Sequence, residues 1–415
     1  MFRKDLQIHF SIARMVESSN NQIIKRRSKG ESQMKASFLT VEHDMFRESL
    51  RKMLDKEAYP YYEKWEEERE IPRDFWLKLG ENGFLLPWVD ETYGGLGLDF
   101  SYSMILTEEL ERVGVGLASG ICLHSDIVSP YIAAYGTEIQ KQKWLPKSVT
   151  GEFISAIAMT EPGAGSDLAG IRTTARKEGN YYIVNGEKTF ITNGLNADYV
   201  VVVCKTDQEV KPAYRGISLL IVENGTPGFK RGKKLNKMGM HSGDTAELIF
   251  EDAKVPVENL LGEEGKGFYY LMEKLQQERL VVALQVQVEA EEMLRLTIDY
   301  VKERKAFGQR IADFQNTQFK IAEMATEIDI GRTYVNTLTE KHLQGNEIVK
   351  EVSMAKWWIS EMAKRVAAEC LQLHGGYGYM EEYEIARRYR DIAVTSIYAG
   401  TTEIMKGIIA KKTLA

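Results

Sequence analysis

Tyr181-Tyr182-Ile183-Val184-Asn185-Gly186-Glu187-Lys188-Thr189-Phe190-Ile191-Thr192 decides the architecture, because it introduces strand chemistry into a largely helical sequence. Its β-branched and aromatic residues suit a pleated sheet. Asn-Gly readily takes the positive φ angles of a type I′ turn, so the stretch predicts a hairpin joining strands at 181–184 and 188–192. Further strands are predicted at Tyr199 to Cys204, Ile217 to Val222 and Ala246 to Phe250. Together they read as a small β-barrel or sandwich ending near Pro256.

On either side the period is helical. Phe46, Leu50, Met53 and Leu54 recur at i, i+4, i+7 and i+8 behind Thr40 as N-cap, and Pro60 is expected to close that helix. Helices follow around Phe75 to Leu79, Tyr102 to Val113 and Pro130 to Leu145. From about Gly267 the helices are long, with apolar faces traced by Leu271, Leu275 and Val282, by Phe319, Ile321, Met324 and Ile328, and by Met354, Trp357 and Met362. A four-helix bundle is the simplest packing. The fold class is α+β and multidomain, divided as an extension at 1–37, a helical domain at 38–157, a β domain at 158–262 and a helical bundle at 263–415.

The 415 residues, 44% of them hydrophobic, suffice for two or three domains with cores of their own. A net charge of -6 from interspersed acids and bases argues against nucleic acid or an anionic membrane surface as partner. No apolar run nears the roughly 20 residues that span a bilayer. Cys122, Cys204 and Cys370 are far apart in apolar surroundings and read as reduced core residues of an intracellular protein. The six histidines show no metal-ligand spacing, so no metal site is expected. Residues 1–33 are rich in Arg and Lys, which leaves a targeting presequence, an upstream start before Met34 and a flexible tail as alternatives. Arg390-Asp391 reads as a structural pair in the bundle.

Several motifs carry chemistry. Ala158-Met159-Thr160-Glu161-Pro162-Gly163-Ala164-Gly165-Ser166-Asp167 is a glycine-rich loop in which missing β-carbons let backbone amides approach a ligand, although alone it is equally an ordinary turn. Phe190-Ile191-Thr192-Asn193-Gly194 ends the strand stretch. Arg304-Lys305-Ala306-Phe307-Gly308, with Phe314-Gln315 downstream, offers a guanidinium whose planar fork matches a pyrophosphate. Gln372-Leu373-His374-Gly375-Gly376 and Ser396-Ile397-Tyr398-Ala399-Gly400-Thr401-Thr402-Glu403 complete the set. With these motifs in this order, the chain from about Phe38 resembles the acyl-CoA dehydrogenases.

That resemblance implies FAD as cofactor, an acyl-CoA thioester as substrate, trans-2-enoyl-CoA as product, an electron-transfer flavoprotein as acceptor and a homotetramer, at least a dimer. It assigns Phe190 to the flavin ring and Thr192 to flavin N5. It assigns Arg304 to the pyrophosphate of a neighbouring subunit's FAD, joined across the interface by Gln372, Gly375 and Gly376. Met159, Thr160, Ser166, Phe307, Gln315, Thr401 and Glu403 are also expected at the cofactor, and Ser166, Arg279, Ala399 and Gly400 at the substrate. The location implied is cytoplasmic, or the mitochondrial matrix in a eukaryote.

One residue departs from the pattern. Most members of the family carry their catalytic glutamate where this chain has Ala399. The long-chain and isovaleryl branches resemble this chain in having a small residue there and a glutamate at the position of Glu278, in Leu275-Gln276-Gln277-Glu278-Arg279-Leu280. A free glutamate is a weak base, and burial raises its pKa. Leu271, Leu275, Glu278 and Val282 stand at i, i+4, i+7 and i+11, which predicts an apolar stripe around that carboxylate. Glu278 is therefore the expected base, with long or medium-to-long acyl chains favoured. Branched-chain acyl-CoA dehydrogenation, an acyl-CoA oxidase and a non-catalytic flavin-binding relative remain alternatives.

Overall fold

The structure, a computed structural model, describes residues 36–415, and helices occupy the first third of them. Apart from residues 36 and 37, the predicted extension lies outside the described residues. Helix α1 (Val41–Glu57) starts directly after Thr40 and buries Leu50 and Leu54, with Phe46 and Met53 packed half-buried against the same core. Pro60 sits in a single 3-10 turn, Tyr59–Tyr61, after which α2 (Tyr62–Glu68) resumes the path. Then come α3 (Arg73–Glu81), α4 (Phe100–Val113) and α5 (Val115–Cys122). A π-type segment, Leu123–Val128, leads into α6 (Ser129–Tyr135). The helix expected over 130–145 is two helices, because Gly136 is extended (φ -70, ψ 144) and Thr137 with Gln140 forms a capping box that starts α7 (Glu138–Val149).

Eight strands form one sheet in the order β6-β7-β3-β2-β4-β5-β8, with β1 (Ser155–Ala158) pairing parallel to β4. Strands β4 (Tyr199–Lys205) and β5 (Ile217–Glu223) are buried on both faces, hence their unbroken apolar runs. Tyr199, Val201 and Val203 pack with Trp144 and Leu145 of α7. Val200 and Val202 pack inside the sheet with Leu248 and Phe250 of β7 (Thr245–Pro256).

The expected hairpin at Asn185-Gly186 is not there. Strand β3 (Tyr181–Thr192) is continuous, and Asn185-Gly186 forms an irregularity in its pairing with β7. A β-carbon on Gly186 would meet the Thr173 side chain at 2.4 Å, so this glycine answers a close approach within the sheet. The two-residue turn is Gly179-Asn180, between β2 (Thr174–Glu178) and β3, with Glu178 paired to Tyr181. Strands β6 (Phe229–Lys234) and β8 (Leu260–Leu261) are the sheet's ends.

The remaining helices are α8 (Gly267–Glu303), α9 (Gln315–Leu343), α10 (Val349–His374), α11 (Glu384–Asp391) and α12 (Thr402–Leu414), with the short ribbon β9 (Lys305–Ala306) and β10 (Gln309–Arg310) after α8. Helices α8, α9, α10 and α12 pack as the bundle. Gly331 lets α9 approach α8, since a β-carbon there would lie 2.3 Å from Gln287 Oε1. Two predicted faces shift. Phe319 is exposed, and α10 buries Val352, Ala355, Ile359, Met362 and Val366 while Met354 and Trp357 are half-buried. Arg390 and Asp391 do not pair: Arg390 bonds Glu381, and Asp391 accepts from the Met240 amide at 2.5 Å. No described helix is long and apolar enough to cross a membrane.

Candidate active site

Leu271, Leu275, Glu278 and Val282 are all buried, so the stripe predicted on α8 faces inward, carboxylate included. Glu278 is 6% exposed, and among the described residues its hydrogen-bond partner is the Tyr131 hydroxyl, which donates to Oε1 at 2.7 Å. Burial pushes the carboxyl up to about 7, against the Tyr131 hydrogen bond and the charge of Arg279, which both favour ionisation. Arg279 is also buried, its pKa lowered by that burial, and its Nε has no hydrogen-bond partner.

A second buried cation lies alongside. Lys356 of α10, 1% exposed, donates from Nζ to the Gly400 carbonyl at 2.6 Å. Burial first, and the Arg279 charge next, bring its pKa down to about 8. The loop it holds is tight: Ala399 has φ +52 and Gly400 φ +98, and a β-carbon on Gly400 would meet Met405 Cε at 2.5 Å. Thr401 then caps α12, its hydroxyl accepting from the Ile404 amide, and Glu403 lies exposed in the first turn. Neither Tyr131 nor Lys356 was singled out from the sequence. They stand 147 and 44 residues from the groups they bond, so no local spacing announces them.

The glycine-rich loop is fastened to β3 by a buried ion pair. Lys188 Nζ donates to Glu161 Oε1 at 2.9 Å and to the Met159 carbonyl at 3.0 Å, while Glu161 also accepts from the amides of Arg172 and Thr173. The Thr189 amide donates to the Thr160 carbonyl at 2.9 Å. Met159 and Thr160 are thus brought beside the segment that carries Phe190 and Thr192, and Ser166 is exposed in the same loop. Phe190 is 68% exposed with φ +59, at a shift of register between Lys188 and Ile191. A left-handed aromatic residue turned out of a sheet is a strained arrangement typical of ligand clamps.

Arg304, Gln372, Gly375 and Gly376 meet elsewhere, in the lining of one cavity of about 670 Å³. The Arg304 guanidinium lies over the Tyr377 ring at 5.2 Å. Tyr300, also in the lining, stacks on His374 at 4.3 Å. Gly375 has φ +59, and β-carbons on Gly375 or Gly376 would meet nothing. A guanidinium, a primary amide and open backbone form a donor set suited to a pyrophosphate. Phe307, 95% exposed against the edge of Phe314, and Gln315, exposed at the start of α9, are outside this lining. So are Met159, Thr160, Ser166, Phe190 and Thr192. Their chemistry suits parts of a flavin dinucleotide: an exposed aromatic ring at β3, and a donor-lined cavity where α8 and α10 meet.

Residues 40–152, 156–253 and 265–414 match the models of the acyl-CoA dehydrogenase N-terminal, middle and C-terminal domains. The chain is 49% identical over 371 residues to the long-chain specific acyl-CoA dehydrogenase of Rattus norvegicus, covering 89% of this chain and 86% of that one. It is 40% identical over 377 residues to the isovaleryl-CoA dehydrogenase of Pongo abelii, covering 90% and 89%. Among solved structures it is similar to an acyl-CoA dehydrogenase from Geobacillus kaustophilus, with 69% identity, a TM-score of 0.91 and coverage of 91% of this chain and all of that one. A helical, β and helical order shared with these relatives, matched along nearly every described residue, makes this chain a member of the acyl-CoA dehydrogenase family.

Proposed function

We propose that this enzyme removes an α-proton and a β-hydride from a long or medium-to-long acyl-CoA thioester, giving trans-2-enoyl-CoA, with Glu278 as the base. The observation that carries the reading is the Glu278 carboxylate, buried in an apolar stripe and balanced near neutrality, in a chain whose residue 399 is alanine. A base with its pKa near the working pH is available in both protonation states, as general base catalysis requires. When bound, FAD supplies the oxidant that accepts the β-hydride at N5. Phe190 and Thr192 would hold the flavin ring, and Arg304, Gln372, Gly375 and Gly376 would hold the pyrophosphate of a neighbouring subunit's cofactor in a tetramer. Met159, Thr160, Ser166, Phe307, Gln315, Thr401 and Glu403 complete that set by resemblance.

The Ala399 amide is assigned to the thioester carbonyl, where a fixed donor stabilises the charge that develops as the α-proton leaves. Lys356 serves this arrangement through the Gly400 carbonyl. Arg279 brings a buried positive charge and an unmet N–H donor next to Glu278, which a polar group of the substrate would satisfy. Anaerobic flavin reduction across a ladder of straight acyl-CoA lengths plus isovaleryl-CoA tests the substrate assignment. A maximum at eight carbons or longer is expected, and a maximum with isovaleryl-CoA would move the enzyme to the branched-chain class. Electron-transfer flavoprotein is the expected acceptor, and peroxide as the main reduced product would identify an oxidase.

A further inference from the structure

We propose that Tyr131 is a positioning residue that keeps Glu278 ionised and aimed within its apolar pocket, an inference that rests on the proton-abstracting role given to Glu278 above. The contact is direct, phenol Oη to carboxylate Oε1 at 2.7 Å, and Tyr131 is completely buried. A short O–H···O⁻ bond of this kind favours the charged carboxylate where solvent cannot.

The phenol is itself held from two sides. Tyr131 packs in one cluster with Ile132 and Leu271. Its ring lies 6.3 Å from that of Tyr135, which stacks on Tyr270 at 3.9 Å. Tyr270 belongs to α8, the helix that carries Glu278, so α6 grips α8 at two heights. The charged groups around the pair are Arg279 on α8, Lys356 on α10 behind Arg279, Glu273 on α8 towards the tyrosines, and Lys274, whose Nζ lies 5.2 Å over the Tyr135 ring. Among the described residues none of these is hydrogen-bonded to Glu278; the hydroxyl is.

A neutral donor suits the task better than a cation would. Three arginines at hydrogen-bond distance hold the buried Glu109 carboxylate far below neutrality, at about 2. Such a group is a poor proton acceptor. A phenol supports the anion through a donated hydrogen bond without bringing an opposing charge to it.

Tyr131→Phe removes only the hydroxyl. An infrared pH titration of the Glu278 carboxyl band, identified by its absence from Glu278→Gln, reads the effect in folded, flavin-loaded protein. The expected result is a midpoint raised by about one pH unit or more. The acid limb of kcat/KM should rise equally, with about tenfold loss below the midpoint and recovery at high pH. An unmoved carboxyl midpoint overturns the proposal. Should the midpoint rise while the acid limb stays, the tuning by Tyr131 stands and the assignment of Glu278 as base falls. If Tyr131→Phe does not fold, 3-fluorotyrosine at position 131, a stronger donor of the same shape, should lower the midpoint, and no change there overturns the proposal equally.

Discussion

Glu278 and Glu109 are both glutamates inside helices, 6% and 3% exposed, yet one titrates at about 7 and the other at about 2. Burial raises both. Glu109, on α4, meets Arg47 Nη1 at 2.8 Å and Arg51 Nε at 2.9 Å from α1, with Arg112 Nη1 at 3.1 Å. Glu278 meets one phenol. Three arginines make the first a fastener between helices, whereas no cation lies at hydrogen-bond distance from Glu278 among the described residues. Perturbation alone does not mark function, since burial also raises Glu289, to about 8, and Asp391, to about 6.

Opposite pH signatures follow, and the larger concerns Glu278. Its folded-state pKa lies above the unfolded value, so the folded protein retains a proton that the unfolded chain releases between about pH 4.5 and 7. Stability falls as pH rises through that window, by about 3 kcal/mol at full development. Glu278→Gln should therefore unfold at higher denaturant than wild type at pH 8 and match it at pH 4. A constant difference at all pH values would break the comparison.

Glu109 has the reverse sign. Its folded-state pKa is depressed, so its contribution is present above about pH 4.5 and is lost as pH falls towards 2. Glu109→Gln should cost about 2 to 3 kcal/mol at pH 7, less than a fully buried pair because Arg47 and Arg51 reach water in part. Denaturant unfolding should show the gap closing in acid, with turnover per folded molecule unchanged. Lys356→Met sharpens the contrast at smaller scale. It leaves the carboxylates in place but frees the Gly400 carbonyl, and kcat should fall about tenfold with KM less affected. Equal loss in KM would place Lys356 in substrate binding.

The helical and β periods were legible in the sequence because they are local. The stripe through Glu278 follows from α8 alone, and its four residues are buried as the spacing predicts. Asn185-Gly186 misled because the same dipeptide that favours a turn also relieves a crowded register, and only Thr173, from another strand approach, reveals which. The break at Gly136 depended on the Thr137 and Gln140 cap outweighing an apolar period. Phe319 was expected inside on pattern alone, yet it is exposed on α9. The motif residues came from resemblance, and only coordinates show that Met159 and Thr160 lie beside the segment of Phe190 and Thr192, that Arg304, Gln372, Gly375 and Gly376 line one cavity, and that Phe307 and Gln315 lie outside it. Tyr131 and Lys356 were invisible for a plainer reason: each acts through a contact between distant segments, and neither stands in a pattern that chemistry would single out.

We propose that the α-proton passes to a carboxylate on α8 and not to a group in the Ala399 loop. Stopped-flow reduction of flavin-replete Glu278→Gln by a saturated acyl-CoA under argon tests it directly. Its rate should be lower by about 10³-fold or more, at unchanged flavin content and acyl-CoA affinity. Reduction within about threefold of wild type would contradict it.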